Sequence, residues 1–253
     1  MPEKEMILDA LIALSRRIGD PLREFAILGE GNTSARVDAQ TFWVKASGKE
    51  LGTANAGTFV LVNLPRTLQI LEMGHLTDSQ IKQELIAAKV NPDDPAHPSV
   101  ETVMHALMLT LGGASFVAHT HPTAVNAILC SQRVEEAISG RLFPDEIVIC
   151  GPAPAYVPYT DPGIPLARKI KETMLAYQDE YSQMPKVVLI QNHGLVALGR
   201  SAQEAENITC MMDKTARILL GSYALGGPHF LTPAQVNRIH TRPDEEYRRK
   251  LLK

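Results

Sequence analysis

Residues 114–121 read ASFVAHTH and residues 186–199 read KVVLIQNHGLVALG. The first is typical of a short buried strand, and the second predicts a pair of strands or a hairpin around NHG at 192–194. Side chains alternate along a strand, so His119 and His121 are expected to project the same way, close enough to share one ion. We therefore expect a sheet that carries functional residues at the ends of its strands.

Helical and strand-like patterns alternate on both sides of these stretches. Apolar residues recur at helical spacing up to Gly19, and short β-prone runs from Phe25 to Lys45 (FAIL, SARV, TFWVKA) predict a small meander. Further elements are predicted as a strand over 147–150 (IVIC) and as helices over 99–111, capped by Ser99, over 165–181, and from Ser201 to about Leu220. This mixture predicts a single α/β or α+β domain over residues 1–253, with helices covering a central sheet.

Composition and charge limit the partners of the chain. With 25 Lys plus Arg against 28 Asp plus Glu, the net charge of −3 offers no field to hold a polyanion, so nucleic acid is not expected as a partner. The three cysteines are far apart and outside any C-x-x-C arrangement, which favours neither disulfides nor a thiolate metal cage. No segment has the pattern of a signal peptide or a membrane span. We expect a cytoplasmic protein without a membrane partner.

The histidines predict a metal site. His193 stands at the end of a second apolar strand, beside a glycine that allows close approach. Three imidazoles from His119, His121 and His193, with a fourth position left for water or substrate, are typical of catalytic zinc rather than structural zinc. The alternatives are a chance H-x-H and a histidine that only completes a turn.

Glu101 is a candidate partner of the three histidines. It is predicted in the first turn of the 99–111 helix, where a carboxylate commonly does no more than stabilise the helix dipole. If that helix start faces the histidines, Glu101 becomes a fourth ligand in the empty enzyme or a general base once substrate displaces it. His105, one turn further along an apolar helix, is interpreted as a buried, hydrogen-bonded core histidine.

Two loops rich in glycine and small hydroxyl residues suggest an anion site. LGEGNTSARV (28–37) and KASGKE (45–50) present backbone N–H groups and hydroxyls of the kind that hold phosphate or carboxylate oxygens. The alternative is that Gly29, Gly31 and Gly48 serve tight turns. GEGNTS matches neither a Walker A loop nor a dinucleotide-binding fingerprint.

Five motifs in this order resemble the class II aldolase/adducin family: GEGNTSARV, VKASG, HPSVETVMHALML, AHTHPTAVNAIL and LIQNHGLVALG, from Gly29 to Gly199. The resemblance implies an α/β/α sandwich around a mostly antiparallel sheet, assembled as a homotetramer with sites at subunit interfaces. It implies zinc, with manganese or cobalt as alternatives, on His119, His121 and His193, and Glu101 as catalytic acid/base. The positions that match the family's phosphate site are Asn32, Ser47, Gly48 and Ser99.

The sequence also departs from the family pattern. Val100 replaces the second serine of the usual PSSE motif and removes a hydroxyl donor, which makes a non-phosphorylated or carboxylate-bearing substrate credible. The tyrosine that aldolases contribute from a neighbouring subunit has no clear counterpart.

The expected activity is that of a zinc-dependent aldolase. It would cleave or form a C–C bond in a small ketose, a sugar phosphate or a hydroxy-oxo acid through an enediolate, whose charge a dication stabilises. A sugar-phosphate epimerase and a metal-dependent decarboxylase are alternatives that pass through comparable intermediates. An adducin-like interaction module is the alternative without catalysis, and it predicts missing ligands, whereas all three histidines and Glu101 are present.

Overall fold

The computed structural model describes residues 3–251, apart from the side chains of 246 and 249–251. The strands in this part of the chain are β1 (Asn32–Arg36), β2 (Thr41–Lys45), β3 (Phe59–Asn63), β4 (Phe116–Thr120), β5 (Ala155–Val157), β6 (Val187–Ile190) and β7 (Gly194–Gly199). The helices are α1 (Glu3–Ile18), α2 (Leu64–Glu72), α3 (Asp78–Ala87), α4 (Thr102–Thr110), α5 (Thr123–Leu129), α6 (Val134–Ala137), α7 (Pro144–Cys150), α8 (Ile164–Tyr181), α9 (Ala202–Ala224), α10 (Pro233–Thr241) and α11 (Pro243–Leu251). Among these helices, none combines the length and hydrophobicity that a membrane crossing requires.

The strands form one seven-stranded sheet in the order β3-β2-β1-β4-β7-β6-β5. Neighbouring strands pair antiparallel except β5 and β6, which are parallel. In the centre of the sheet, the β1–β4 register sets Asn32 opposite His119, and the β4–β7 register sets His119 opposite Val196. The end of β4 therefore lies beside both the start of β1 and the start of β7.

Helices cover both faces of the sheet, and successive side chains of β6 pack alternately against the helices on one face and on the other. Val188 and Ile190 pack into the core formed with α2, α3, α4 and α8, whereas Val187 and Leu189 pack into the core formed with α1, α5, α7 and α9. All four side chains are at most 2% exposed, so the strand is buried on both sides. The fold is a three-layer α/β/α sandwich with a mostly antiparallel sheet, which confirms the predicted fold class.

The predicted hairpin around NHG is confirmed. β6 and β7 pair antiparallel, with Ile190 opposite Gly194. Asn192 has a φ of 54° in the turn between them, a left-handed conformation that asparagine adopts more readily than most residues. The hairpin therefore presents His193 at the end of the sheet where β4 also ends.

Two predictions of local structure were wrong. The IVIC run at 147–150, predicted as a strand, lies in helix α7, because Pro144 stands at the start of the helix and the Glu146 carboxylate accepts hydrogen bonds from Arg141 and the Leu142 N–H. A run of only four apolar residues carries no periodicity that distinguishes a strand from a helix. FAIL lies outside the strands, and the third strand of the meander is β3 instead.

The helix predicted from Ser99 begins later, at Thr102. The Ser99 carbonyl accepts from the Thr102 N–H, so residues 99–101 form a turn before α4. Glu101 occupies the N-cap position, and no cap hydrogen bond involves its side chain. Its carboxylate is therefore not used by the helix.

Candidate metal centre

The three histidines predicted as metal ligands converge at the end of β4. His119 belongs to β4, His121 follows the strand, and His193 lies in the turn between β6 and β7. Nε2 of His119 is 3.1 Å from Nε2 of His121 and 3.2 Å from Nε2 of His193. The ring centroids are 4.8–5.3 Å apart in edge-on arrangements. The structure thus brings together three imidazoles that point their Nε2 atoms at a common region.

Hydrogen bonds on the far side of two rings orient them. Nδ1 of His119 is 3.0 Å from the Leu195 carbonyl oxygen, and Nδ1 of His121 is 3.0 Å from Oε2 of Glu30. Both partners accept hydrogen bonds, so each Nδ1 carries the proton and each Nε2 keeps its lone pair. An acceptor behind a histidine is the usual support of a metal-binding imidazole.

These lone pairs provide a test of whether a metal fits. The Nε2 atoms of His119 and His121 face each other at 3.1 Å with no hydrogen between them, an arrangement that a cation between them would stabilise. Nitrogens bound to one tetrahedral zinc at about 2.0–2.1 Å stand roughly 3.3 Å apart. The two pairs that involve His119 therefore have nearly the spacing of ligands on one ion, and the ligand atoms of all three histidines lie within 4.8 Å of one another.

Two glycines allow the elements to approach this closely. A β-carbon on Gly194 would lie 2.6 Å from Cδ2 of His121 and 3.3 Å from Cε1 of His119. A β-carbon on Gly31, whose φ is 66°, would lie 2.9 Å from the His119 carbonyl oxygen.

A hydrogen bond from helix α5 fixes the turn that carries His193. The Asn126 side-chain amide donates to the His193 carbonyl at 3.0 Å.

The Glu101 carboxylate faces the same point. Its Oε1 is 3.3 Å from Nε2 of His193 and 3.7 Å from Nε2 of His119, and its side chain is 14% exposed. Burial opposes ionisation of Glu101, but the His119 ring and hydrogen bonds from His193 and Asn32 outweigh it and hold its pKa well below the usual range. The start of α4 therefore supplies an ionised carboxylate to the centre.

His119 stays neutral at ordinary pH. Full burial lowers its pKa to about 3, against the opposing attraction of the Glu101 carboxylate. A neutral imidazole is the form that binds metal, so burial prepares His119 as a ligand.

Asn32 is one of the residues assigned to the phosphate site, but both hydrogen-bonding groups of its side chain are bonded to other residues of the protein. Its Nδ2 donates to Oε2 of Glu101 at 2.5 Å, and its Oδ1 accepts from Nε2 of His105. Nδ1 of His105 in turn is 2.7 Å from Oγ of Ser34. Asn32 is 5% exposed, so its amide is built into the support of Glu101.

The other three residues assigned to the phosphate site lie on adjoining loops. Ser47 and Gly48 are exposed, and the Ser47 N–H donates to the His97 carbonyl at 2.9 Å, two residues before Ser99. The Ser99 hydroxyl is buried and has no hydrogen-bond partner among the described residues. Its hydrogen-bonding capacity is therefore not satisfied by the described residues.

The Lys45 side chain links the glycine-rich loop at 28–37 to the loop at 46–49. Its Nζ donates to the carbonyls of Gly29 at 2.9 Å and Lys49 at 2.5 Å, and the residue is 3% exposed. Burial lowers its pKa, while the Glu101 and Glu50 carboxylates oppose that effect. Lys45 thus joins the glycine-rich loop to the 46–49 loop and places a buried amine near Glu101.

The sequence interpretation missed Glu30 and underestimated His105. Glu30 lies in the 28–37 loop, which the sequence indicates as an anion site. A carboxylate in that loop is the feature of the sequence that could have indicated a hydrogen-bond partner for a histidine. His105 is fully buried and hydrogen-bonded, as predicted, but its partner Asn32 also contacts Glu101. Asn32 and Ser34 are two residues apart and therefore lie on the same face of one strand. This spacing is the feature of the sequence that could have indicated that both contact His105.

A family model, Class II Aldolase and Adducin N-terminal domain, matches residues 9–220. The chain belongs to the class II aldolase/adducin family. This match confirms the resemblance that the five sequence motifs indicate. Class II aldolases typically depend on a divalent metal, and the family acts on small molecules, which agrees with the three-histidine site.

Similar proteins carry out different reactions within this family. A 3-oxo-tetronate 4-phosphate decarboxylase of Haemophilus influenzae is 24% identical over 87% of this chain and 90% of its own length. A methylthioribulose-1-phosphate dehydratase of Microcystis aeruginosa is 26% identical over 76% of this chain and 85% of its own length. YuxG of Bacillus subtilis, named an uncharacterized oxidoreductase, is 28% identical over 77% of this chain, and the match spans 27% of that longer protein.

A solved structure has the same fold. The N-terminal class II aldolase domain of a conserved protein from Thermoplasma acidophilum superposes with a TM-score of 0.65 and 27% sequence identity, over 84% of this chain and 93% of that domain. The class II aldolase fold therefore extends over most of the chain.

Proposed function

We propose that this protein is a metal-dependent aldolase that uses zinc on His119, His121 and His193 to cleave or form a C–C bond in a small ketose, sugar phosphate or hydroxy-oxo acid. The observation that carries the proposal is the convergence of three Nε2 atoms with the Glu101 carboxylate 3.3 Å from one of them and 3.7 Å from another. Manganese and cobalt are alternative ions for the same nitrogen ligands.

The division of labour follows from the geometry of the residues. When bound, the dication supplies a Lewis acid that stabilises the negative charge of an enediolate. His119 and His121 hold their lone pairs inward because the Leu195 carbonyl and Glu30 accept their Nδ1 protons.

Glu101 is suited to move the proton of this reaction. Its Oε2 is held by Asn32, which leaves Oε1, the oxygen beside the histidines, to take the proton and return it. The low pKa of Glu101 keeps this oxygen ionised in the resting protein.

The residues around Glu101 favour a substrate that binds with fewer phosphate contacts than in the family pattern. Val100 offers no hydroxyl, and the Asn32 amide already holds Glu101 and His105. Ser47, Gly48 and Ser99 remain as candidate contacts to a phosphate or carboxylate, close to the buried Lys45 amine.

Decarboxylation is the second candidate reaction. The Haemophilus influenzae decarboxylase matches 87% of this chain, and loss of carbon dioxide leaves an enolate that the same centre stabilises. Epimerisation of a sugar phosphate is a third: the C–C bond is cleaved, the aldehyde fragment rotates, and the bond re-forms with inverted configuration. A non-catalytic adducin-like module is disfavoured by the complete set of three histidines and Glu101.

The test is a product analysis with zinc-loaded protein. Ketose phosphates, unphosphorylated ketoses and hydroxy-oxo acids are incubated with the protein, and the products are followed by NMR. Aldol cleavage gives two carbon fragments, decarboxylation releases carbon dioxide, and epimerisation gives an isomer. At saturating Zn²⁺ the Glu101→Gln variant should lose about 10²–10⁴-fold in rate, whereas the matched Glu172→Gln change at an exposed position of α8 should have no effect. Full activity in Glu101→Gln would refute the role of Glu101.

We further propose a cytoplasmic homotetramer built from one domain per chain, with the centre at a subunit interface. Apolar side chains beside the centre support this assembly, because Leu28 is 78% exposed and Val100, which precedes Glu101, is 46% exposed. Light scattering coupled to gel filtration should give about four times the chain mass of 27.7 kDa, and a monomer would refute the assembly.

A further inference from the structure

The interior of the protein contains a polar chain that ends at Glu101. It runs from Ser34 on β1 to His105 on α4, back to Asn32 on β1 and then to the Glu101 carboxylate. Ser34 and His105 are 0% exposed and Asn32 is 5% exposed. These groups are packed between the sheet and α4, so their hydrogen bonds hold with little competition from water.

The chemistry of the groups gives this chain one direction. A carboxylate only accepts, so Asn32 must turn its amide nitrogen to Glu101 and its carbonyl oxygen to His105. His105 must then donate from Nε2, which leaves a lone pair on Nδ1 to accept the Ser34 hydroxyl. Each member fixes the orientation of the next.

His105 is neutral, as this arrangement requires. Burial lowers its pKa to about 4, and the nearby Glu101 carboxylate only partly offsets that effect. A neutral ring with one donor and one acceptor satisfies both Asn32 and Ser34, and it leaves no buried ring nitrogen without a partner.

We propose that His105 is a positioning residue for Glu101, acting through Asn32, with Ser34 fixing its tautomer. Without the His105 donor, the Asn32 amide is free to rotate, and Glu101 loses the bond that aims its Oε1 at the histidines. The inference rests on the proposed function, in which Glu101 works at a metal held by His119, His121 and His193.

The experiment measures Zn²⁺ affinity of the full-length, metal-stripped protein by competition with a chromophoric chelator. Zn²⁺ alone is the probe, because Glu101 faces the ligand nitrogens before any substrate binds. His105→Leu removes the donor and should weaken Zn²⁺ binding about tenfold, because the Glu101 carboxylate, 3.3 Å from Nε2 of His193, attracts the cation and would lose its position. His105→Gln keeps an N–H near the position of Nε2 and should recover most of that loss.

Two controls separate positioning from packing. Met108→Leu changes a residue of the same helix that is equally buried but has no polar link to Glu101, and it should leave the affinity unchanged. In a Glu101→Gln background, where the affinity is already reduced, His105→Leu should cause no further loss, because its effect passes through Glu101.

Each result decides the question. Wild-type affinity in His105→Leu, or the same additional loss in the Glu101→Gln background, would overturn the positioning role alone. A wild-type protein that binds no Zn²⁺ would overturn the proposed function as well, before any variant is made. If thermal melting shows that His105→Leu does not fold, Ser34→Ala replaces it: a smaller loss that disappears in the Glu101→Gln background supports the role, and no loss overturns it.

Discussion

Gly194 determines how closely the two histidine-bearing elements approach, so Gly194→Ala is a precise perturbation of the centre. The new β-carbon would lie 2.6 Å from Cδ2 of His121, 2.6 Å from the Thr120 carbonyl oxygen and 3.3 Å from Cε1 of His119. Carbon atoms in contact normally stand about 3.5–4.0 Å apart, so the His121 ring must move by about 1 Å. Gly194 does not have a positive φ, so the effect is steric rather than a backbone strain.

The magnitude follows from the cost of overpacking. An inserted carbon in a packed site costs about 1–3 kcal/mol. If the ring positions absorb that cost, Zn²⁺ binding weakens by roughly 5- to 150-fold, since about 1.4 kcal/mol corresponds to a factor of ten.

The assay is Zn²⁺ competition against a chelator, with circular dichroism to confirm folding. Gly221→Ala is the matched control, because Gly221 lies in α9 with no atom within 4 Å of an added β-carbon. This control should keep the wild-type affinity and raise stability by about 0.5–1 kcal/mol. Wild-type affinity in a folded Gly194→Ala protein would refute the claim that the two rings share one ion at this spacing.

Two further predictions concern the residues behind the centre. Glu30→Gln should weaken Zn²⁺ binding about tenfold in the same competition assay, because an amide is a poorer acceptor for the His121 Nδ1 proton; unchanged affinity would contradict the support assigned to Glu30. Burial lowers the His105 pKa to about 4, so in metal-free protein the unfolded chain binds more protons than the folded chain between pH 6.5 and about 4. The free energy of unfolding should therefore fall as pH falls through that window. Urea titrations should show that His105→Gln removes about 3 kcal/mol of this pH dependence, and equal slopes in both proteins would refute it.

The sequence correctly predicts the elements that have a clear hydrophobic periodicity or a recognisable turn or capping residue. Alternation along ASFVAHTH placed His119 and His121 on one side, and the NHG turn delivered His193 to the same end of the sheet. The long helices near both ends of the predicted core, α1 and α9, also follow from their periodicity and, for α9, from the Ser201 cap.

Helix α7 was predicted as a strand because a run of only four apolar residues has no periodicity that distinguishes the two structures. The environment of the site depends instead on contacts between residues far apart in the chain. The partners of Glu101 and His121 could not be derived either: Asn32 lies 69 residues from Glu101, and Glu30 lies 91 residues from His121. Only the pairing of β1 with β4, and the packing of α4 against them, brings these groups together.

The polar chain behind Glu101 changes the interpretation of Asn32. The family resemblance assigned it to a phosphate site, whereas its two hydrogen-bonding groups contact Glu101 and His105. Together with Val100, this leaves Ser47, Gly48 and Ser99 as the proposed anion contacts. A substrate whose binding depends little on phosphate is consistent with that smaller set.

The three-histidine metal site is tested by measuring the metal content of the purified protein and of His119→Ala by mass spectrometry. The wild-type chain should carry one equivalent of a divalent transition metal, and His119→Ala should carry almost none while remaining folded. One full equivalent of metal in His119→Ala would contradict the account.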